Sequence, residues 1–336
     1  MEYTVRHMPG LLDQVNASID HTPSLHTQSV VSLFSGCGGM DLGFLGGFRF
    51  AGHYYEELPF RIDWANDIST AACETYSLNF NHDINCGDVM EVLDSLPETA
   101  DIVIGGFPCQ DVSINGSRLA GSGKRTILYK AMLEVIRRTR PKVFVAENVK
   151  GLLMSHGRDF YREMMADFSA LEGYQVSDRL YLAADYGVPQ MRERIFIIGV
   201  RGEKSFMHPV RVFDETQRLT AGDVLRDLED LPKDTDFSHV WSLANASPDQ
   251  GSRKLTEHKP SSTIRAECHG NIQFHYKLDR RISMREAARL QSFPDEFVFP
   301  FGLRETERQI GNAVPPVLAW HLACAVRNYL NDARML

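Results

Sequence analysis

Val30-Val31-Ser32-Leu33-Phe34-Ser35-Gly36-Cys37-Gly38-Gly39-Met40-Asp41-Leu42 decides how this chain folds. Residues 30–34 are a short apolar run with the length and β-branched content of a buried strand. The run stops at a cluster of three glycines, and the stretch to residue 45 that follows has the pattern of the first turns of a helix. Strand, glycine loop and helix recur outward from this point. Residues 60–65 predict a second strand ending at Asn66-Asp67, followed by a helix over 69–79, and a third strand leads to Asp88. Residues 101–104 predict a strand ending at Gly105-Gly106, and 142–146 another ending at Glu147-Asn148. Between these two, Ile127, Leu128, Ala131, Val135 and Ile136 recur at helical spacing. Strands alternating with helices imply an α/β fold with a parallel sheet, whose ligands gather beyond the carboxyl ends of the strands.

After a predicted helix over 159–171, strand-like runs at 176–182 and 195–200 flank the segment Asp185 to Arg194. Regular periodicity then fades until about residue 278, and it resumes with a helix over 281–291, a stop at Pro294 and a last helix after Pro315-Pro316. The expected organisation is an N-terminal extension (1–28), a catalytic and cofactor-binding domain (29–200), a smaller irregular domain (201–278) and a C-terminal segment returning to the first domain (279–336).

The chain has 336 residues, with 43% hydrophobic and 24% charged side chains, the balance of a folded globular protein. It has no apolar run of membrane-spanning length and no secretory leader, so a cytoplasmic location is expected. Its six cysteines form no CxxC pair, so neither a zinc site nor a disulfide framework is indicated, and no metal is expected. The net charge of −8 hides its distribution: residues 1–100 carry 3 Lys/Arg against 14 Asp/Glu, whereas residues 118–142 carry eight basic side chains and one acid, Glu134. Two readings of that basic stretch stand side by side, a solvated helix face and a phosphate-contacting surface.

A glycine loop between a strand and a helix lets backbone approach an adenosine cofactor, although the same geometry serves any tight turn. Asp67, at the end of the next strand, tips the balance, because a carboxylate there can accept both hydroxyl hydrogens of a ribose. Asp88 offers a contact at the adenine end. The sixth position of the glycine motif is Asp41, an anion that would disfavour a pyrophosphate, so S-adenosylmethionine is expected rather than NAD. Cys109 follows a strand end and Glu147 ends another, which brings a thiol and a carboxyl to one edge of one sheet. Nucleophile, acid and methyl-sulfonium donor together suit alkylation of a carbon that is not itself nucleophilic, such as cytosine C5.

Six blocks in order resemble the motifs of C5-cytosine-specific DNA methyltransferases of the bacterial restriction-modification type. They are Phe34-Ser-Gly-Cys-Gly-Gly39, Gly106-Phe-Pro-Cys-Gln110, Glu147-Asn-Val149, Gln190-Met-Arg-Glu-Arg194, Arg285 to Pro294, and Gln309-Ile-Gly-Asn-Ala-Val-Pro315. The resemblance covers about residues 30–330. It implies a Rossmann-like S-adenosylmethionine-dependent methyltransferase fold with a target-recognition domain at 201–278. Cys109 is then the nucleophile and Glu147 the contact to the cytosine ring, with Arg192 and Arg194 in the QxRxR motif supporting the flipped base. Phe34, Ser35, Gly36, Gly38, Gly39, Asp67, Asp88, Pro108, Leu128 and Asn312 correspond to cofactor contacts.

The implied partner is double-stranded DNA, acted on by a monomer, with a cognate restriction endonuclease as functional counterpart. Within 201–278, Trp241, Asn245, Gln250, Arg253, Arg265, His269 and Gln273 are candidates for base edges, and within 118–142, Arg137, Arg138 and Arg140 for phosphates. A tRNA-methylating member of the same family is disfavoured because its Cys-Phe-Thr tripeptide is absent. A catalytically silent DNA-binding regulator is disfavoured by the intact Pro-Cys-Gln and Glu-Asn-Val motifs.

Overall fold

Along each central strand the side chains alternate between two apolar layers. Val30, Ile102, Ile104, Val143, Val145, Phe196 and Ile198 face one layer, and Val31, Val103, Phe144, Ala146, Ile195 and Ile197 face the other. A sheet apolar on both faces must be covered on both, and it is. The computed structural model describes residues 27–107, 125–155, 157–236, 238–243, 253–266 and 273–334.

The first half of the chain runs β1 (Gln28–Leu33), α1 (Gly39–Leu45), the short strands β2 (Phe48–Phe50) and β3 (His53–Tyr55), β4 (Phe60–Asp67), α2 (Thr70–Asn79), β5 (Asn85–Cys86), α3 (Val89–Val92) and β6 (Ile102–Gly106). It continues through α4 (Arg125–Thr139), β7 (Val143–Val149), α5 (Arg158–Ser169), β8 (Tyr174–Leu182), β9 (Gln190–Met191) and β10 (Glu193–Arg201). The remainder holds α6 (Ala221–Leu225), β11 (Ser261–Ser262), α7 (Met284–Leu290), α8 (Leu303–Asn312) and α9 (Pro316–Arg334).

Seven strands form one sheet in the order β5-β4-β1-β6-β7-β10-β8. From β1 the chain first builds outward to β4 and β5, then returns to add β6 and β7 on the other side. The switch in winding therefore falls between β1 and β6, where open α/β sheets leave a crevice at their carboxyl edge. The expected parallel sheet needs one correction: β10 is antiparallel to both β7 and β8. Only residues 183–192 connect β8 to β10, too few for a crossover, so the chain turns back on itself. The long link after α1 holds the antiparallel hairpin β2–β3, which periodicity did not reveal.

Residues 201–225 contribute to the same core as the sheet. Phe206, Val212, Phe213, Leu219, Ala221, Val224 and Leu225 are buried in the layer that holds α1 and α9. His208 bonds Ser177 (2.9 Å) and Tyr181 (2.6 Å) on β8.

Helix α1 lies against α9 at a separation set by Gly43. A Cβ there would sit 2.4 Å from Ala319 Cβ, 2.5 Å from the Pro316 carbonyl oxygen and 2.8 Å from the Trp320 nitrogen. Two of those three obstacles are backbone and cannot swing aside. Helix propensity alone would make Gly43→Ala stabilising by about 1 kcal/mol, whereas overpacking against fixed backbone costs about 1–3 kcal/mol or more. We expect a net loss of about 2 kcal/mol in chemical denaturation. Unchanged or raised stability would show that the α1–α9 contact is loose.

Candidate active site

The parallel strands deliver their carboxyl ends to one edge of the sheet, and the predicted site residues follow from this. Directly after β1, Phe34 (φ 55°), Gly36 (φ 57°) and Gly38 (φ 90°) all adopt left-handed backbone. Such a conformation at Phe34 costs about 1–3 kcal/mol and persists only where the surroundings enforce it. Here the enforcement is a set of hydrogen bonds. Ser35 N donates to the Asn66 carbonyl (2.9 Å), Gly38 N to the Ser35 carbonyl (2.9 Å), and Gly36 N to Asp67 Oδ2 (2.8 Å).

Asp67 Oδ1 accepts from Ser69 N at 2.8 Å. Each carboxylate oxygen thus takes one backbone amide and keeps further lone pairs for an incoming hydroxyl pair. Burial raises the Asp67 pKa, while the amides of Ser69 and Gly36 oppose the shift. A Cβ on Gly36 would meet nothing within 4 Å, so the loop leaves open space beside its backbone. By contrast, one on Gly39 would come 2.4 Å from the Val314 carbonyl, so Gly39 is needed for packing. Asp88, just past β5, is exposed and caps α3 through a bond from Met90 N (2.9 Å). Open space at Gly36, the part-exposed Phe34 ring and the amide-held carboxylate of Asp67 fit an adenosyl cofactor.

Asp41 departs from the role that sequence suggested. It is fully buried and accepts a hydrogen bond from Tyr76 Oη at 2.9 Å, so it is turned into the protein rather than toward an approaching phosphate. Asp41 therefore does not face a bound cofactor and says nothing about whether that cofactor carries a pyrophosphate.

On the other side of the switch point, Gly106 stands opposite Glu147 in the β6–β7 register. A Cβ on Gly106 would lie 2.9 Å from Glu147 Oε2, so glycine makes room for the carboxyl. Glu147 Oε1 pairs with Arg194 Nε at 2.9 Å, both side chains nearly buried. The antiparallel course of β10 is what sets Arg194 beside the end of β7. Burial raises the Glu147 pKa, and Arg194 and Arg192 pull the other way. Asn148 Nδ2 donates to the Phe107 carbonyl (3.0 Å), tying down the chain where it leaves β6. Pro108 and Cys109 lie outside the described residues.

Arg192 is completely buried and faces backbone rather than the crevice. It donates to the carbonyls of Ile264 (2.9 Å), Gly311 (2.8 Å) and Ala313 (3.0 Å). Gln190, two residues earlier, bonds Ile264 N, the Leu290 carbonyl and Gln291. Alternate residues of the QxRxR motif thus divide into two that join segments and one, Arg194, that reaches the carboxyl. Asn312 is the exposed last residue of α8, beside the Gly311 that Arg192 holds. Leu128 is half-buried on α4 against the second apolar layer. Neither Asn148 nor the carbonyl partners of Arg192 could be read from sequence, since the partners lie 41 to 121 residues away.

Placement bears on two sequence expectations. Arg137, Arg138, Arg140 and Lys142 lie at the end of α4 and the start of β7, and Lys142 pairs with Asp101 just before β6 (2.8 Å). They therefore sit at the opposite edge of the sheet from Glu147, about 20 Å away along β7. Arg118 and Lys124 lie outside the described residues. Among the base-edge candidates, Gln273 is buried and bonds Ser262, while Trp241 is stacked by Arg280 at 4.2 Å. Both are braces. Arg253 is part-exposed and Arg265 exposed, and Asn245, Gln250 and His269 lie outside the described residues.

The chain matches the family model of C-5 cytosine-specific DNA methylases over residues 28–247 and 243–328. It is 34% identical to Type II methyltransferase M.NgoFVII of Neisseria gonorrhoeae, covering 92% of this chain and 89% of that protein. It is 33% identical to Type II methyltransferase M.BspRI of Lysinibacillus sphaericus, covering 90% and 82%. Among solved structures, a DNA modification methyltransferase encoded within an E. coli prophage superposes with a TM-score of 0.68 at 25% identity, covering 90% of this chain and 99% of that one. The S. pombe Dnmt2 methyltransferase shares the fold at TM-score 0.63 and 19% identity, with 91% and 99% covered. Among the described residues no helix is long and apolar enough to cross a membrane. With its crevice at the β1–β6 switch point and this match over most of its length, the chain belongs to the C-5 cytosine-specific DNA methylase family, whose methyl donor is S-adenosylmethionine.

Proposed function

We propose that this DNA cytosine-5 methyltransferase uses Cys109 as nucleophile and Glu147 as the group that stabilises the activated cytosine. The observation that carries the reading is the buried Glu147–Arg194 pair, set opposite Gly106 at the crevice edge. Cys109 follows Phe107 by two residues, and the Phe107 carbonyl is held by Asn148, the neighbour of Glu147.

In this mechanism the Cys109 thiolate adds to cytosine C6, and the C5–C6 π electrons move to C5. Glu147 in its protonated form donates to N3, where negative charge develops, and Arg194 keeps the carboxyl aimed. Bound S-adenosylmethionine supplies an electrophilic methyl group at C5. A base then removes the C5 proton, the double bond re-forms and the Cys109 thiolate leaves. Phe34, Ser35, Gly36, Gly38, Gly39, Asp67, Asp88, Pro108, Leu128 and Asn312 would form the cofactor site, with Asp67 on the ribose hydroxyls. C6 is unreachable within a stacked duplex, so the target base must leave the helix. The protein acts as a monomer and protects host DNA from a cognate restriction endonuclease. Resistance of plasmid DNA from an expressing host to a restriction enzyme with the same target would test that pairing.

Cys109→Ser is expected to abolish methyl transfer while DNA binding persists. Duplexes carrying 5-fluorocytosine at the target keep their C5 substituent, so the wild type should form a denaturation-resistant adduct with them when cofactor is present. Failure to trap that adduct refutes the nucleophile.

Glu147→Gln is expected to lower kcat by about 10²-fold. Because the donating form of Glu147 is the protonated one, the wild-type rate should decline as pH rises through the upward-shifted pKa of that carboxyl. The Gln variant should lack that decline, and a variant with wild-type turnover would remove Glu147 from the mechanism.

Sequence recognition is assigned to the irregular segment of the predicted 201–278 domain that lies beyond the core-anchored residues 206–225, where Arg253 and Arg265 remain available to base edges. Transplanting residues 226–278 into a family member of known target should move the methylated site, mapped by bisulfite sequencing. An active chimera that kept its host's target would overturn the assignment.

A further inference from the structure

Behind the glycine loop, three side chains from three segments form one hydrogen-bonded chain. Tyr76 on α2 places its hydroxyl 2.9 Å from Asp41 Oδ1 on α1 and 2.8 Å from His82 Nε2 in the loop after α2. His82 Nδ1 lies 3.1 Å from the Asp83 carbonyl, which can only accept. Nδ1 therefore carries a hydrogen, and this fixes the rest of the count. If His82 is neutral, Nε2 is an acceptor, Tyr76 must donate to it, and Asp41 must donate to Tyr76 as a protonated acid. If His82 is a cation, Nε2 donates to Tyr76 and Tyr76 donates to an ionised Asp41. The two arrangements contain the same number of protons and differ only in where one resides. Remove that proton, and Asp41 and His82 both require the single hydrogen of Tyr76, so one contact is lost.

We propose that Asp41, Tyr76 and His82 act as a one-proton latch that holds the glycine loop against α2 and so positions the cofactor-binding backbone. The proposal rests on the assignment of the loop and Asp67 to the cofactor site. Two features connect the latch to that site. Ser35, inside the loop, donates to Ser32 Oγ at 2.9 Å, and the Ser32 hydroxyl in turn is one of the groups that favour the ionised form of Asp41. Gly38 packs directly on α2, since a Cβ there would lie 2.2 Å from the Phe80 ring and 3.0 Å from that of Tyr76. The element ends joined by Asp67 through Gly36 and Ser69 are thus joined a second time, deeper, by Asp41 and Tyr76.

Burial raises the Asp41 pKa to about 6, opposed by Ser32, Tyr76 and His82. The other titratable groups facing it are Cys37, whose thiol burial pushes up to about 12 and so keeps neutral, and Asp67 beyond it. Helix α9 faces α1 near Gly43 with alanine and backbone atoms. An acid whose folded pKa is raised favours the latched state below that pKa and loses the contribution as pH rises through it. Cofactor affinity should accordingly fall as pH rises through about 6.

The test is equilibrium binding of S-adenosylhomocysteine, the demethylated cofactor product, measured by calorimetry between about pH 5 and pH 8. Wild type should bind more weakly at the upper end. Tyr76→Phe keeps the ring and removes the relay hydroxyl. It should bind at least about fivefold more weakly at the low end, since the bonds to Asp41 and to His82 are both lost, with no pH dependence. In turnover assays the same factor should enter the KM for cofactor and leave kcat at saturation in place. His82→Gln, at the part-exposed end of the chain, should also flatten the pH profile without disturbing the fold. Wild-type affinity and pH profile in both variants would overturn the latch. Asp67→Ala separates the two levels: if it abolishes binding while Tyr76→Phe and His82→Gln leave it intact, only the latch is wrong. If Asp67→Ala is itself without effect, the cofactor-site assignment fails and the latch with it.

Discussion

Burial of the Arg192 guanidinium is the constraint that assembles this molecule. A cation taken fully out of water needs acceptors for its donors, and here Nη1 and Nη2 find three backbone carbonyls from two distant stretches of chain, while Nε is buried without a partner. One is Ile264, in the irregular segment. The others are Gly311 and Ala313, which straddle Asn312 at the end of α8. Because every acceptor is backbone, the arrangement depends on the path of the chain rather than on particular side chains there. Gln190 repeats the logic by accepting from Ile264 N and donating to Leu290 and Gln291. Gly311 allows it sterically, since a Cβ there would come 2.4 Å from Ala266 N. The irregular segment is thereby joined to the catalytic core at one dry, polar seam.

The winding of the sheet divides the chemistry. Strands β1, β4 and β5 lie on one side of the switch point and end in the glycine loop, Asp67 and Asp88, which suit an adenosyl group. Strands β6 and β7 lie on the other side and end in Phe107 and Glu147. The antiparallel β10 then contributes what no parallel strand could, a cation arriving at the same edge from the opposite direction. Arg194 opposes Val149 in register and its side chain reaches back to Glu147. The departure from a parallel sheet is what completes the Glu147–Arg194 ion pair.

Much of this was legible in the sequence because it depends on local pattern. Phe34, Asp67, Asp88, Gly106 and Glu147 each end a predicted strand, and parallel strands place their ends together. What was not legible depends on direction or on distance. The charge count over residues 118–142 cannot show that α4 carries Arg137 and Arg138, and the link after it Arg140, away from the crevice. The planar side chains of Trp241 and Gln273 look suited to bases, but their braces, Arg280 and Ser262, lie 39 and 11 residues away. Asp41 was misread for a related reason. Its position in the glycine motif suggested an anion facing the ligand, whereas the helical turn after Gly39 rotates it toward Tyr76. The reversal at β10 was not read from the sequence, although the short link between the runs at 176–182 and 195–200 leaves too few residues for a crossover.

The ionisation of Glu147 follows from the same geometry. Left alone in so dry a position, the carboxyl would be strongly biased toward its neutral form; paired with a freely solvated arginine, it would be firmly ionised. Here the two influences oppose each other. Burial dominates and the pKa is raised, yet Arg194 at 2.9 Å and Arg192 behind it limit the shift. The arginines are themselves constrained, since burial lowers the pKa of each. In the proposed mechanism, a carboxyl held between these influences would carry a proton toward a ring nitrogen that is gaining negative charge and release it again when the charge is withdrawn, without rearrangement of the site. Such poise requires that water stay out and that Arg194 not move. Both conditions trace to the strand pairing of β7 with β10 and to the glycine at position 106 that lets the carboxyl lie flat against β6.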